Sequence, residues 1–167
     1  MNSPPLIRPE RAADAPGIRS VLEAAFAGTI EADLVDRLRV GGHFVLSLVA
    51  EQSGCIAGHV AFPRLTLATR GQTMPAVGLA PVGVRPSCQR QGIGSALIRA
   101  GLAHLMDAGE PIVFVLGEPD YYVRFGFRAV DGYVSPYAGP YFQALKLAPA
   151  APASGVVTYP APFADLD

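Results

Sequence analysis

The first forty residues carry hydrophobic positions at the spacing of two amphipathic helices. Apolar residues recur every three or four positions after Asp14, a residue type that favours a helix N-cap, and predict a helix over residues 14–26. A similar pattern predicts a second helix over residues 31–40, which Gly41 and Gly42 end. Each helix is therefore expected to bury one apolar face.

After the second helix the pattern changes to strands, with one further helix among them. β-forming runs at residues 44–50 and 56–67 flank a turn and predict a hairpin. Residues 76–84 are almost wholly apolar, which predicts a strand covered on both faces. A helical stripe over residues 95–108 and a short apolar run over residues 112–116 follow. This order of strand, loop, helix and strand predicts two parallel strands joined by a crossover helix.

The last part of the chain has a weaker pattern. Residues 117–126 predict a loop with a brief helix, and the sequence that follows, up to Leu147, is aromatic and rich in turn residues. Residues 149–155 have the composition of an exposed connection, too short to link two domains, and residues 156–159 predict a last strand. We therefore expect one α/β domain over residues 1–167.

Composition and charge narrow the classes of protein. Half of the 167 residues are apolar and 16% are charged, which is typical of a globular protein rather than a disordered one. The net charge is −1 and no short stretch concentrates Lys or Arg, so neither nucleic acid nor a membrane surface is an expected partner. Without the pattern of a signal peptide or an apolar run that could cross a bilayer, we expect a cytoplasmic protein. The high apolar content is compatible with a homodimer.

The cysteines and histidines suggest little metal or nucleophilic chemistry. Cys55 and Cys88 are too few, and too far from a pair of histidines, to form a zinc site, so we expect no metal. Cys88 adjoins a glycine-rich segment, but no neighbouring His or acid suggests that it is activated as a nucleophile. His59 lies in a predicted strand and would face an acceptor groove only from one face of that strand.

The glycine-rich segment joins the predicted strand at residues 76–84 to the helix that follows it. Backbone N–H groups at a helix start have no intrahelical acceptor, and the helix dipole adds about half a positive charge there. Gly92 and Gly94 remove side chains that would keep an anion from these groups, and Arg90 can add a charge-assisted contact. The segment therefore predicts a phosphate site.

Three other interpretations of this loop are possible, and the spacing of residues argues against the first two. A Walker loop requires Gly-Lys-Ser/Thr, but no Lys follows Gly92 or Gly94. The dinucleotide fingerprint requires a small residue where Leu97 stands and an acidic residue near the end of the next strand, whereas Glu118 lies beyond that strand. A glycine-rich turn without any ligand stays open on these residues alone, and a nucleotide-binding domain is kept as a rival.

A longer pattern around the loop resembles the coenzyme A pyrophosphate loop of the GNAT superfamily of N-acetyltransferases. The matching pattern is Val84-x-Pro86-x-x-Gln89-x-x-Gly92-Ile93-Gly94-x-x-Leu97. A second segment, similar to the family's Tyr-x-x-x-Gly-Phe segment after its fifth strand, is Tyr122-Val123-Arg124-Phe125-Gly126-Phe127. More narrowly, the chain looks like the YhbS-like subgroup at Gly117-Glu118-Pro119-Asp120-Tyr121-Tyr122 and at Gly155-Val156-Val157-Thr158-Tyr159.

The resemblance implies both a fold and a coenzyme site. The implied fold is a mixed, twisted sheet with helices on both faces and a V-shaped opening between the fourth and fifth strands. Backbone groups of Val82 and Val84 would hold the pantetheine arm of acetyl-CoA, the co-substrate, as if it were an added strand. The residues expected to bind the coenzyme are Val82, Val84, Arg90, Gln91, Gly92, Ile93, Gly94 and Ser95.

The implied reaction is direct transfer of an acetyl group from acetyl-CoA to a primary amine, on a small molecule or a protein. Such a transfer needs a neutral amine, donors for the developing oxyanion and an acid for the departing thiolate. Tyr122 matches the family position of this acid, and a phenol of pKa about 10 is protonated at neutral pH. Residues 79–83 contain no carboxylate, so the base is Glu118, solvent or a side chain from the hairpin. The alternative is a non-catalytic acyl-CoA-binding sensor or subunit with the same fold.

Overall fold

Ten strands and four α-helices make up the part of the chain that the computed structural model describes, residues 3–166. The strands are β1 (Leu6–Pro9), β2 (Phe44–Gln52), β3 (Cys55–Thr69), β4 (Gln72–Leu79), β5 (Val82–Val84), β6 (Ile112–Leu116), β7 (Arg128–Ala129), β8 (Tyr133–Val134), β9 (Phe142–Lys146) and β10 (Gly155–Thr158). The helices are α1 (Ala15–Phe26), α2 (Ile30–Val40), α3 (Ile93–Asp107) and α4 (Pro119–Tyr122). Short 3₁₀ turns lie at Ala12–Asp14, Pro86–Cys88, Val123–Phe125 and Ala161–Asp165.

The strands form one mixed, mostly antiparallel sheet. Its order is β1-β2-β3-β4-β6-β9-β7, while β10 pairs with β3 and with β8. The predicted hairpin is β2 and β3, which are antiparallel neighbours. β4 and β6 pair in parallel, with Val77 opposite Val113 and Leu79 opposite Val115. The helix α3 lies between these two strands in the chain and connects them. The predicted mixed sheet, including its parallel pair, is confirmed.

The strand predicted over residues 76–84 is not continuous, which corrects the sequence analysis. It breaks at Ala80 and Pro81 into β4 and β5. Proline has no backbone N–H and interrupts a regular ladder, which accounts for the break. β4 pairs with β6, whereas β5 pairs with β3 alone. The sheet therefore opens between β5 and the end of β6. The V-shaped opening was predicted at this place, between the strands at residues 76–84 and 112–116.

Helices cover both faces of this sheet. A Cβ atom added to Gly58 would lie 3.0 Å from side-chain atoms of Ile93 and Leu97 on α3. One added to Gly83, on the neighbouring strand, would instead lie 3.1 Å from Leu22 on α1. On the α3 face, Gly101 approaches the sheet so closely that a Cβ atom there would overlap the ring of Phe62. Because Gly58 faces α3 and Gly83 faces α1, the two helices lie on opposite faces of the sheet.

The C-terminal part contains strands that the sequence pattern did not predict. β9 pairs antiparallel with β6 along its whole length, and the rings of Phe114 and Phe142 stack with centroids 5.4 Å apart. The last predicted strand is present as β10, which starts one residue earlier, at Gly155. Asp14 is the N-cap residue of α1, but its carboxylate makes no capping hydrogen bond and instead binds Arg8 at 2.7 Å.

Candidate active site

The loop between β5 and α3 presents backbone N–H groups to an open groove. α3 begins at Ile93, after Gly92, which is its N-cap residue and has a φ of 81°. The first intrahelical acceptor in this turn is the Gly92 carbonyl, which receives the N–H of Ala96 at 3.0 Å. The N–H groups of residues 93–95 therefore have no intrahelical acceptor. Arg90 is also left-handed, with a φ of 64°, and so helps to turn the loop into the helix.

The groove beside this loop has a volume of about 410 Å³ and a positive lining. Its described lining includes two cations, Arg90 and Arg124, and no carboxylate. The predicted residues that line it are Val84, Arg90, Gly92, Ile93, Gly94 and Ser95. Gln91 is exposed and does not line it, and neither does Val82. A helix start and two cations make this groove suitable for a phosphate or pyrophosphate group.

Tyr121 and Arg124 form the wall of the groove opposite the loop, and the sequence analysis did not assign them a role. The hydroxyl of Tyr121 lies 3.4 Å from Ser95 Oγ, and a Cβ atom on Gly94 would lie 3.6 Å from it. The Arg124 guanidinium carbon lies 4.5 Å from the centre of the Tyr121 ring, and its Nε donates to the Tyr121 carbonyl at 2.9 Å. The sequence contains two adjacent tyrosines, Tyr121 and Tyr122, but only the structure shows which of them lines the groove.

The backbone of β5 has a free edge towards the opening. On the edge that faces β3, the Arg85 N–H donates to the Ala57 carbonyl at 2.8 Å, and the Ala61 N–H donates to the Pro81 carbonyl at 3.1 Å. Because polar groups alternate along a strand, those of Val82 and Val84 point away from β3. Gln89 Nε2 already donates to the Val84 carbonyl at 3.0 Å. On the edge that faces the opening, the Val84 N–H and the N–H and carbonyl of Val82 are therefore left to bind a ligand.

The ring of Tyr122 packs against Gly117, the residue that follows β6. Its side chain is 8% exposed and packs edge-to-face on Tyr121 and Phe127, with centroids 5.0 and 5.8 Å apart. A Cβ atom on Gly117 would lie 2.5 Å from its ring. Burial, followed by the neighbouring Tyr121, raises the pKa of Tyr122 to about 12. The hydroxyl makes no hydrogen bond to the described residues, so it is a protonated donor without an acceptor among them. Tyr122 does not line the groove itself.

Glu118 lies directly before α4, but its carboxylate faces solvent. Its backbone carbonyl accepts the N–H groups of Tyr121 and Tyr122, both at 3.1 Å. The side chain is exposed, makes no capping hydrogen bond and is not part of the groove lining. Asp120 is also exposed. The structure therefore gives Glu118 a role in positioning the two tyrosines through its backbone, while its role as a base stays a prediction.

The remaining polar candidates do not add a second catalytic group to the groove. Cys88 lines the groove but its nearest polar partner is Ser87 Oγ, at 3.7 Å. His59 is fully buried and contacts Ser47 Oγ at 2.8 Å on the opposite side of the sheet from α3, so it does not face the groove. Within residues 3–166, no group of three or more His, Cys, Asp or Glu side chains is placed to hold a metal. Nor does that part of the chain contain a helix long and apolar enough to cross a membrane.

The fold and this groove are those of the GNAT class of proteins. The family model described as an acetyltransferase (GNAT) domain matches residues 6–130, and the chain belongs to this family. It is 40% identical over 124 residues to the uncharacterized N-acetyltransferase YhbS of Escherichia coli strain K12, covering 74% of this chain and 73% of that protein. Membership of the superfamily and of its YhbS-like subgroup, predicted from the two motifs, is thus confirmed.

Two solved structures are similar over almost the whole chain. A GNAT family acetyltransferase from Brucella melitensis in complex with acetyl-CoA is 42% identical, with a TM-score of 0.82, and the match covers 95% of this chain and 97% of that one. YhbS from Escherichia coli in complex with CoA is 34% identical, with a TM-score of 0.88, covering 98% and 94% of the two chains. The predicted fold class is therefore confirmed.

Proposed function

We propose that this protein transfers an acetyl group from acetyl-CoA to a primary amine by direct attack within a ternary complex. The observation that carries the proposal is that Val84 belongs both to the positive groove at the start of α3 and to β5, whose other edge faces the opening. The pyrophosphate would bind the N–H groups of residues 93–95, with Arg90 and Arg124 beside it. The pantetheine arm would pair with Val82 and with the Val84 N–H. The acetyl-CoA bound to the Brucella melitensis relative supports the same ligand here.

The chain's residues can then serve each step of the transfer. The neutral amine nitrogen attacks the thioester carbon, a C–N bond forms, and the C–S bond breaks as the tetrahedral intermediate collapses. The departing thiolate takes a proton, for which the Tyr122 hydroxyl is the proposed donor. The proton lost by the amine goes to solvent or to a carboxylate, and Glu118 is the candidate predicted from the sequence. Water exclusion would come from the apolar walls of the opening.

A second candidate function is acyl-CoA binding without turnover. One specific observation favours it: residues 79–83 contain no carboxylate, and the Glu118 side chain is exposed and makes no contact with the groove. A sensor or a subunit of this kind would use the same groove and the same strand edge. It would need neither the Tyr122 hydroxyl nor a base.

Two measurements separate these functions from each other and from a nucleotide-binding domain. Calorimetric titration with acetyl-CoA, NAD and ATP identifies the ligand, and we expect saturable binding of acetyl-CoA alone. Thiol release, followed with a chromogenic reagent across a broad panel of amines, then tests turnover. Release above the amine-free blank supports the transferase, whereas binding without release supports the sensor. Absence of acetyl-CoA binding at millimolar ligand contradicts both.

Several finer predictions belong with this proposal. The chain would act as a single domain in the cytoplasm, on a small-molecule or protein amine, without nucleic acid, membrane or metal. A homodimer is compatible with its apolar composition. Size-exclusion chromatography with light scattering tests the assembly, and a mass near 17.5 kDa would contradict a dimer.

A further inference from the structure

A second cavity lies at the inner end of the same opening. It has a volume of about 190 Å³, and its walls are largely apolar and aromatic. Residues 78–81 form one side, across the break between β4 and β5, and Leu116 at the end of β6 forms another. The 3₁₀ turn near the C-terminus closes it with Phe163. This apolar pocket is distinct from the positive groove at the loop.

The pocket and the groove lie at opposite ends of residues 79–84, which run from the end of β4 across the break at Ala80 and Pro81 into β5. Leu79 lines the pocket and Val84 lines the groove. Five steps along the chain separate the two residues, so at about 3.3 Å per extended residue they lie at most about 17 Å apart. A coenzyme with its pyrophosphate at the start of α3 and its arm along β5 would therefore point its thioester end towards the pocket. This step rests on the proposed function.

The lining of the pocket is selective for one kind of chemical group. Phe114, Tyr137 and Tyr159 contribute ring surfaces, and the last two pack edge-to-face with centroids 4.9 Å apart. A dry cavity of about 150 Å³ is large enough to hold benzene, so this pocket fits one ring or one branched aliphatic group. Rings provide much apolar contact area at a fixed geometry.

A single charge stands at this pocket. Among the described residues that line it, Glu31 alone carries a charged side chain. Glu31 lies in the first turn of α2 and is partly exposed, so its carboxylate stays hydrated while it borders the apolar space. One carboxylate beside an apolar wall complements one ammonium group attached to one apolar group. A polyamine or an aminoglycoside would leave several of its charges without a partner here.

We infer that this apolar pocket is the acceptor subsite and that the acceptor is a small primary amine carrying a single ring or a branched aliphatic group. Glu31 attracts the ammonium form to the pocket. The amine then loses one proton to water, its nitrogen forms the amide bond with the acetyl carbon, and coenzyme A leaves as the thiol.

The first test compares primary amines with and without an apolar group in the thiol-release assay, and isoamylamine is the one matched to ethylamine in basicity. We expect kcat/KM for 2-phenylethylamine and isoamylamine to exceed that for ethylamine by about tenfold or more, because even one extra methylene group in an apolar pocket is worth on the order of 10- to 200-fold. Spermidine and a lysine-containing peptide should be poorer than 2-phenylethylamine. Equal or better kcat/KM for ethylamine or spermidine would overturn the inference, although any release at all would leave the proposed function standing.

The second test changes the charge and the space of the pocket separately. Glu31→Gln should raise KM for 2-phenylethylamine about three- to tenfold with little change in kcat, as expected for a partly exposed charge contact. Asp107→Asn removes one exposed charge at the end of α3 and should leave KM unchanged. Leu116→Trp narrows the pocket and should reduce kcat/KM for 2-phenylethylamine more than for ethylamine.

These outcomes distinguish the acceptor inference from the proposed function. If no amine releases thiol while acetyl-CoA binds, the transferase itself is contradicted and the acceptor inference falls with it. If amines are acetylated but Glu31→Gln behaves like Asp107→Asn and Leu116→Trp affects all amines alike, the transferase stands and the acceptor subsite lies elsewhere. Acetyl-CoA affinity, measured for each variant by calorimetry, verifies that the coenzyme groove is intact.

Discussion

Gln89 Nε2 donates a hydrogen bond of 3.0 Å to the carbonyl oxygen of Val84. This contact joins the loop before α3 to the last residue of β5 and uses an acceptor on the edge that faces the opening. The resemblance to the family implied that both Val82 and Val84 pair with the pantetheine arm, but one of their four backbone groups is already occupied. Gln89 therefore holds the loop and the strand edge in one geometry.

Replacing Gln89 tests whether this geometry matters for the coenzyme. Gln89→Ala should raise the Kd for acetyl-CoA about three- to tenfold, because one hydrogen bond contributes roughly 0.5–1.5 kcal/mol. Turnover at saturating acetyl-CoA should change little. Calorimetric titration measures the affinity, with Gln72→Ala at the exposed first residue of β4 as the matched control. Unchanged affinity in Gln89→Ala would show that the loop needs no such support.

The left-handed Gly92 allows the effect of charge at the proposed phosphate site to be tested by itself. A Cβ atom there would meet no atom within 4 Å, but its φ of 81° disfavours most side chains. Asn tolerates this conformation and carries no charge, whereas Asp adds an anion where we place the pyrophosphate. We expect Gly92→Asp to weaken acetyl-CoA binding at least about tenfold more than Gly92→Asn. Equal affinities of the two variants in the same titration would place the phosphates elsewhere.

Much of this site could be predicted from the sequence because its signals are local. Glycine spacing and the apolar stripe of α3 predicted the glycine-rich turn into that helix, while the helical patterns predicted α1 and α2 and the β-forming runs predicted the hairpin. Pro81 was a sequence signal for the break between β4 and β5, but the apolar run around it looks the same whether its neighbour is β3 or β6. Only the pairing partner distinguishes the two cases.

Signals that depend on tertiary contacts were lost for the same reason. β9 is short and follows turn-rich sequence, and it is stabilised by its pairing with β6 rather than by its own propensity. Tyr121 and Tyr122 are adjacent and chemically identical, so the pattern could not indicate that Tyr121 lines the groove while Tyr122 is buried. Glu118 was selected for its position in the chain, and its exposed carboxylate became evident only in three dimensions.

The two adjacent tyrosines allow an acid to be distinguished from a binding group. Tyr122→Phe should lower kcat by about 10²-fold or more, as expected for loss of a general acid, with the Kd for acetyl-CoA unchanged. The melting temperature should also be unchanged, because the hydroxyl has no partner among the described residues. Tyr121→Phe, which removes a hydroxyl beside Ser95, should instead alter acetyl-CoA affinity. A Tyr122→Phe enzyme with wild-type kcat would eliminate the phenol as the acid.

A polar cluster on the α1 side of the sheet makes stability depend on pH. The Ser47 hydroxyl donates to the Glu10 carboxylate and lies 2.8 Å from His59 Nε2. Arg39 Nε also donates to Glu10, at 2.7 Å. Burial by itself would raise the pKa of Glu10, but its interactions with His59, Arg39 and Ser47 lower that pKa to about 2. Burial lowers the pKa of His59, whose Nδ1 has no hydrogen-bond partner.

His59 is therefore neutral in the folded protein at a pH where the unfolded chain binds a proton. Below its unfolded pKa of about 6.5 the unfolded state takes up that proton, so the free energy of unfolding should fall as pH decreases from 7 to 5. The slope contributed by this one group approaches about 1.4 kcal/mol per pH unit once the unfolded imidazole is charged. Glu10 contributes little over this interval, because its own loss of stability begins near the unfolded glutamate pKa, about 4.3, and extends towards pH 2.

Urea denaturation at pH 7 and pH 5 measures this dependence. His59→Gln can keep a hydrogen bond to Ser47 and has no proton to gain, so its free energy of unfolding should decrease less between the two pH values than that of the wild type. His104→Gln, at an exposed position on α3, is the matched control and should keep the wild-type difference. Because each comparison is made within one variant, a lower absolute stability of His59→Gln does not affect it. If His59→Gln retains the full wild-type difference, the neutral buried imidazole is not its source.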